Sequence, residues 1–223
     1  WDALFYRLFP QHTYGSQTTI GTVEHLKNPS LKAIREFYKS YYLPNNMAII
    51  LSGDFNPDEL IKKIEAAFSG FQSGNIPKRT VNSPFTPTEG PISVWGPNPE
   101  SLIIGYRYPA AGSYESDVAL LCSLILNNGT AGLLDLHVNQ AQKAINANAI
   151  NFNLNEFSFF GVSANPKNQQ RLPELESLLR NEIKKLQDGT FPDWLVQAAI
   201  TDIKLKKTKE LEQNSSRAYA VLN

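Results

Sequence analysis

Three histidines, one cysteine and the carboxylates beside them are the side chains through which this 223-residue chain could do chemistry. His12 stands two residues ahead of Tyr14-Gly15, His25 directly follows Glu24, and His137 comes two residues after Asp135. A helical zinc site needs two ligands one turn apart on one face, histidines at i and i+4, with a glutamate close enough to act as general base. The inverted order, His-x-x-Glu-His, would put a histidine four residues before His25, where Gly21 stands. The positions that would complete such a motif are Gly15 and Ser16 around His12, and Gln140 and Ala141 around His137. Neither order is completed anywhere. On the residues alone the chain offers no catalytic residue, no metal ligand and no cofactor-binding residue, and its substrate contacts stay unassigned.

The remaining candidates weaken in the same way. His137 beside Asp135 could be a general base oriented by a carboxylate, but a half-buried helix histidine is the simpler reading. Cys122 sits in the apolar run VALLCSLIL. A nucleophilic thiol needs a base and partial exposure, so a buried thiol is favoured there. One cysteine cannot form an internal disulfide, which leaves the compartment open. There is no Gly-x-Ser-x-Gly elbow and no Gly-x-Gly-x-x-Gly or Walker loop. NNGTAGLL comes after a helical pattern and not a strand, so a helix cap and turn account for it. The residues describe a scaffold or binding surface.

Composition narrows the class further. Lys+Arg and Asp+Glu balance at 21 each, without the cationic excess that phosphate neutralisation requires, so a nucleic-acid partner is not expected. The longest apolar run is far short of a membrane span, and the start WDALFYRLFP lacks the layout of a secretion signal. That start, without methionine and already densely aromatic, reads as part of a longer protein.

The elements that must position these residues are set by periodicity. Leu31, Ile34, Phe37, Tyr38 and Tyr41 recur at helical spacing after Ser30, an N-cap, and Pro44 stops that helix. NMAIILSG reads as a buried strand, and Asn56-Pro57 opens a second helix with Leu60, Ile61, Ile64 and Phe68 on one face. Residues 70–91 hold four prolines and three glycines without periodicity, the composition of a linker. Beyond it ISVWG and SLIIGYRYP read as strands, and SDVALLCSLILNNG as a buried helix starting at Ser116 or Asp117. GLLDLHVNQAQK reads as a further helix. AINANAINFNLN alternates with a phase slip near Ala149-Ile150 that predicts a bulge or a bend, and EFSFFGVSANP pairs with it. RLPELESLLRNEIKKLQDG is an amphipathic helix closed by Gly189; from Phe191 the pattern is helical to about residue 213, with a frayed tail. Strand pairs alternating with helix pairs predict an α+β fold, an antiparallel sheet layered with helices.

HTYGSQTTIGTVEHL, leading into a helix ending FYKSYYLPNNMAIILSGDFNPDELIKKIEAAF, resembles the insulinase/pitrilysin family of zinc metallopeptidases, to which mitochondrial processing peptidase belongs. His12, Tyr14 and Gly15 match that family's His-Pro-Tyr-Gly turn, with Thr13 in place of proline. Tyr42, Pro44, Asn46, Met47, Gly53, Asp54 and Phe68 match the family's helix end, its strand closing on Gly-Asp and its second helix. Glu24 corresponds to the Gly-x-x-Glu after the turn and not to the metal site. The stretch VNQAQKAINA lacks the Arg and Tyr of the family's Arg-Glu-x-x-Gly-Leu-Ala-Tyr, so no substrate contact is carried over. The resemblance implies a division into 1–75, the C-terminal part of the zinc-bearing domain, a linker at 76–91, and a non-catalytic domain at 92–223. It implies zinc in the parent protein but none in this chain, and a parent that hydrolyses peptide bonds within a chamber of two halves. This piece would form chamber wall, where strand edges could pair with a peptide. Its partners would be peptide or unfolded polypeptide, the upstream zinc domain and a second half or subunit. The alternative is a family member without the zinc motif, acting as a scaffold or partner subunit. A periplasmic or envelope setting is implied only by likeness to bacterial members.

Overall fold

The computed structural model describes residues 1–17, 20–78 and 86–222. Part of the expected linker, residues 79–85, and Thr18 and Thr19 of the first motif lie outside the described residues. In chain order come α1 (Asp2–Leu8), α2 (Thr13–Ser16), α3 (Val23–Lys27), α4 (Leu31–Tyr41), a 3-10 turn at Pro44–Asn46 and α5 (Pro57–Phe68). Next come β1 (Leu102–Pro109), α6 (Tyr114–Leu126), a π-helical segment (Asp135–Gln140), β2 (Asn146–Phe152) and β3 (Phe157–Asn165). The helices α7 (Leu172–Gln187), α8 (Trp194–Glu210) and α9 (Asn214–Leu222) complete the order. They form two compact units that interleave along the chain: Trp1–Thr18 with Val81–Lys204, and Thr19–Thr80 with Leu205–Asn223.

The first unit is built on an antiparallel sheet of order β1-β3-β2. β1 pairs with β3 from Leu102 opposite Ala164 to Pro109 opposite Phe157, and β2 pairs with β3 from Asn146 opposite Asn165 to Phe152 opposite Phe159. Side chains alternate across a strand, and here both faces are covered. On one face Ala147, Val162, Ala164 and the partly buried Ile104 pack with Leu126, Leu134, Val138, Leu175, Leu179 and Leu195 from the helical layer. On the other, Phe159 meets Leu8 and Phe9, joined by Leu4, Phe5, Ile103, Ile150 and Phe157. Each fully buried Leu or Phe contributes about 1.5–3 kcal/mol.

Double coverage explains why the expected bulge is absent. The β2 register runs unbroken, so Ile150 and Phe152 lie opposite Gly161 and Phe159, on the α1 face. The slip in the apolar pattern marks a change of the face that carries the larger apolar residues, not a break in pairing. Two glycines make room for Phe159. Gly105 lies opposite Gly161, and a Cβ on Gly105 would stand 2.5 Å from the Phe159 ring, while one on Gly161 would stand 2.7 Å from it.

Caps set several boundaries. Ser113 accepts from the Ser116 N–H at 3.2 Å, which starts α6 earlier than the apolar pattern alone suggests. The stretch GLLDLHVNQAQK winds as a π-helix in its centre, with the Lys143 N–H donating to the Val138 carbonyl at 2.8 Å.

The second unit carries α4 and α5. Ser30 accepts from the Ala33 N–H, and Asn56 from those of Asp58 and Glu59, with Pro57 in the first turn. Asn45 exchanges two hydrogen bonds with the backbone of Gly74, at 2.9 and 3.1 Å. The expected fraying is not seen over Asn214–Leu222, which form α9, with Arg217 donating to the Leu211 carbonyl, to Asn214 and to the Ser52 hydroxyl. No described residue of this unit is buried. NMAIILSG forms no strand, and Met47, Ile49 and Leu51 are all at least half exposed. ISVWG forms none either, and Trp95 is 92% exposed. An apolar pattern makes a segment suitable for a sheet, but a strand exists only with another strand paired beside it, and neither segment pairs with one among the described residues.

Candidate functional site

The three histidines occupy three separate local settings. His12 caps α2: its Nδ1 accepts from the Tyr14 N–H at 3.2 Å. That assigns the proton to Nε2, which donates to Glu156 Oε2 at 2.5 Å. The pair is almost wholly enclosed, with side chains 4% and 15% exposed, and the ring stands edge-on to Tyr14 and Phe157. It ties the turn after α1 to the start of β3. Gly15 is required at this turn because a Cβ there would lie 2.3 Å from the Phe9 carbonyl oxygen. The His-Thr-Tyr-Gly turn is thus a docking joint.

His25 belongs to a cap. The Thr22 hydroxyl accepts from the His25 N–H at 3.3 Å while His25 Nδ1 accepts from the Thr22 N–H at 3.4 Å, closing a capping box around the start of α3.

His137 is oriented by a carboxylate, but not by Asp135. Its Nδ1 lies 2.7 Å from Glu182 Oε2, and Lys185 Nζ lies 2.7 Å from Glu182 Oε1. A carboxylate only accepts, so Nδ1 carries the proton. Residues two apart on a helical segment do not face each other, which is why neighbourhood in sequence named the wrong partner. Asp135 is buried and turned to the preceding loop. Its carboxylate accepts from the Asn127 amide at 2.6 Å and from the backbone N–H groups of Asn128, Gly129 and Gly132 at 3.0, 2.9 and 3.0 Å. This gathers NNGTAG into a folded loop around one anion, satisfying a charge that would be costly to bury unpaired. Nothing in its periodicity signalled that role; the signal was the Asn-Asn-Gly-x-x-Gly spacing before an aspartate.

Burial moves two groups that could titrate. Cys122 is half-buried, more accessible than its apolar run suggested, and burial pushes its thiol up. Burial also raises the Tyr108 phenol, against the smaller opposing effect of hydrogen bonds to Ser158 and Asn151. An open groove of about 1070 Å³ lies at one end of the sheet, lined by Glu100, Ile145, Asn165, Lys167 and Arg171 among others.

Zinc chemistry needs three or four converging ligands, and these residues do not fit it. Among the described residues no group of three His, Cys, Asp or Glu side chains could hold a metal ion. Each histidine already commits Nδ1 to a local partner, and the three stand on different elements.

An antiparallel sheet between helical layers, with histidines that serve as joints, defines an α+β protein module. The chain belongs to the M16 peptidase family: residues 29–202 match the family model described as the peptidase M16 inactive domain. It is 25% identical over 228 residues to the zinc protease PqqE of Helicobacter pylori, covering 95% of this chain and 49% of that protein. A solved protease from Helicobacter pylori shares the fold with a TM-score of 0.78 at 23% identity, over 97% of this chain and 54% of that one. The first half of the periplasmic protease PqqL from Escherichia coli does so at 0.66 and 14% identity, over 96% of this chain and 47% of that one. The chain therefore spans about half the length of these relatives. Among the described residues no helix is long and apolar enough to cross a membrane.

Proposed function

We propose that this chain is the non-catalytic portion of a zinc metalloendopeptidase, forming wall of a peptide-enclosing chamber while zinc and its ligands lie elsewhere in the parent protein. The observation that carries the reading is the uncovered apolar surface of the second unit. Leu31, Ile34 and Phe37 of α4 and Met47, Ile49 and Leu51 of the unpaired segment are exposed. Apolar surface of this kind marks a place where other polypeptide packs. Strand pairing with a further piece of the parent would satisfy the backbone of residues 47–53 and cover those side chains together. The division into a zinc-domain remnant at 1–75, a linker at 76–91 and an inactive domain at 92–223 belongs to the same proposal. So do peptide or unfolded polypeptide as substrate, a second half or subunit as partner, and a periplasmic setting like that of PqqL.

The test is made on the full-length gene product. One zinc per active site and peptide hydrolysis abolished by chelation, with all metal ligands outside residues 1–223, is the expected result. A full-length product that binds no zinc and cleaves nothing would make the parent a scaffold subunit.

A further inference from the structure

An edge strand of a sheet normally presents a row of unpaired N–H and C=O groups, ready to accept a further strand. β2 is such an edge by position, yet three of its outer groups, on Ala147 and Ala149, are taken. The Asn139 side chain makes two hydrogen bonds to one residue of β2: its Nδ2 donates to the Ala147 carbonyl at 2.9 Å and its Oδ1 accepts from the Ala147 N–H at 2.7 Å. Two residues along, the Ala149 N–H donates to Asn127 Oδ1 at 3.4 Å. These are the bonds that an added strand would make, since a carboxamide carries the same donor and acceptor as a peptide group. Asn139 sits on the π-helical segment and Asn127 is the C-cap of α6, so elements on either side of the Asp135 loop each send one amide to the edge.

Both asparagines are held. Asn127 Nδ2 donates to Asp135 Oδ1 at 2.6 Å, which turns its Oδ1 toward β2. Asn139 is placed by the π-helical turns, which dock through the buried Val138. The sequence of β2 supplies a reason for such protection. Asn-Ala-Asn-Ala-Ile-Asn-Phe carries no charged side chain and no proline, the usual devices that discourage edge-to-edge pairing.

We propose that Asn139 and Asn127 are built-in strand mimics that close the outer edge of β2, at Ala147 and Ala149, against β2 of a second copy of this chain. This role is independent of whether the parent is a peptidase. It also places any strand addition to this module away from β2.

The test compares the full chain with its Asn127→Ala, Asn139→Ala double variant, by hydrogen exchange and by sedimentation over a range of concentrations. The parent chain supplies the baseline for any association through the second unit. In the variant the Ala147 and Ala149 amides should exchange about tenfold faster or more, with the Gly161 amide in the central strand unchanged. Self-association should strengthen by a similar factor, and adding Asn148→Lys, which places a charge on that edge, should reverse it. Retained protection of Ala147 and Ala149 would show that the amides do not guard the edge. Faster exchange with association unchanged would show that nothing was being excluded. If the double variant fails to fold, Asn139→Ala alone frees the Ala147 N–H and carbonyl while Asn127 stays on Asp135, and the same readings at Ala147 decide.

Discussion

Replacing Asp135 by alanine removes one carboxylate and strands several donors at once. The Gly132 N–H is buried, so its desolvation is not recovered and costs about 1–3 kcal/mol. The Asn128 and Gly129 N–H groups are only part-buried, so water replaces the lost bonds and each costs about 0.5–1.5 kcal/mol. Effects within one network do not add in full, and relief from burying a charge offsets part of the loss. The expected destabilisation of the first unit is about 3 kcal/mol, read as a fall in Tm of about 6–12 °C or as an earlier urea transition. Asp135→Asn should recover little, because its NH2 group faces other donors. Hydrogen exchange locates the effect: the Asn128, Gly129 and Gly132 amides should lose protection before those of β3. A loss below about 1 kcal/mol, or unchanged exchange in the loop, would refute the view that this one carboxylate organises residues 127–132.

Gly105→Ala should cost about 1–3 kcal/mol in urea denaturation, since the fully buried Phe159 ring must move out of the way of the new Cβ. Adding Phe159→Leu should return part of that cost, and purely additive losses would contradict the close contact. Burial keeps the Tyr108 phenol neutral to a pH above its ordinary 10.0. The unfolded chain therefore ionises first, and the contribution is complete below about pH 10 and lost as pH rises beyond it. Tyr108→Phe should flatten that alkaline decline in pH-dependent denaturation, at the cost of the phenol's hydrogen bond at neutral pH. Cys122, its thiol pushed up by burial, should react with a thiol reagent at about pH 8 roughly tenfold more slowly folded than in urea; equal rates would place it at the surface.

Local chemistry was legible where the chain decides it alone. Ser30, Asn56, Pro57 and Gly189 mark helix ends because a cap or a left-handed turn needs only a few neighbouring residues. β1, β2 and β3 were legible because their partners lie within the chain. NMAIILSG and ISVWG were misjudged for the opposite reason: their patterns fit a sheet, while pairing depends on something the local pattern does not contain. The His137–Glu182 and His12–Glu156 pairs were invisible because they join residues 45 and 144 positions apart. The π-helical winding and the amide clamp on β2 were missed because Asn139 looks like any polar helix residue until the register of the neighbouring strand is known. The absence of a completed His-x-x-Glu-His was readable at once, since that motif is local by construction.

The local settings of the three histidines give each of them a structural role. Each position where a histidine might serve zinc is committed to holding elements together: α2 to β3, the start of α3, and the π-helical segment to α7. The sheet has helices packed on both faces.

The most direct measurement is made on the 223-residue chain itself. After dialysis against zinc, its metal content is measured by elemental analysis, and its hydrolysis of a fluorogenic peptide is followed with and without chelator. No stoichiometric zinc and no chelator-sensitive cleavage are expected of a module whose histidines are structural joints. One tightly held zinc per chain, with peptide hydrolysis that chelation abolishes, would contradict that assignment.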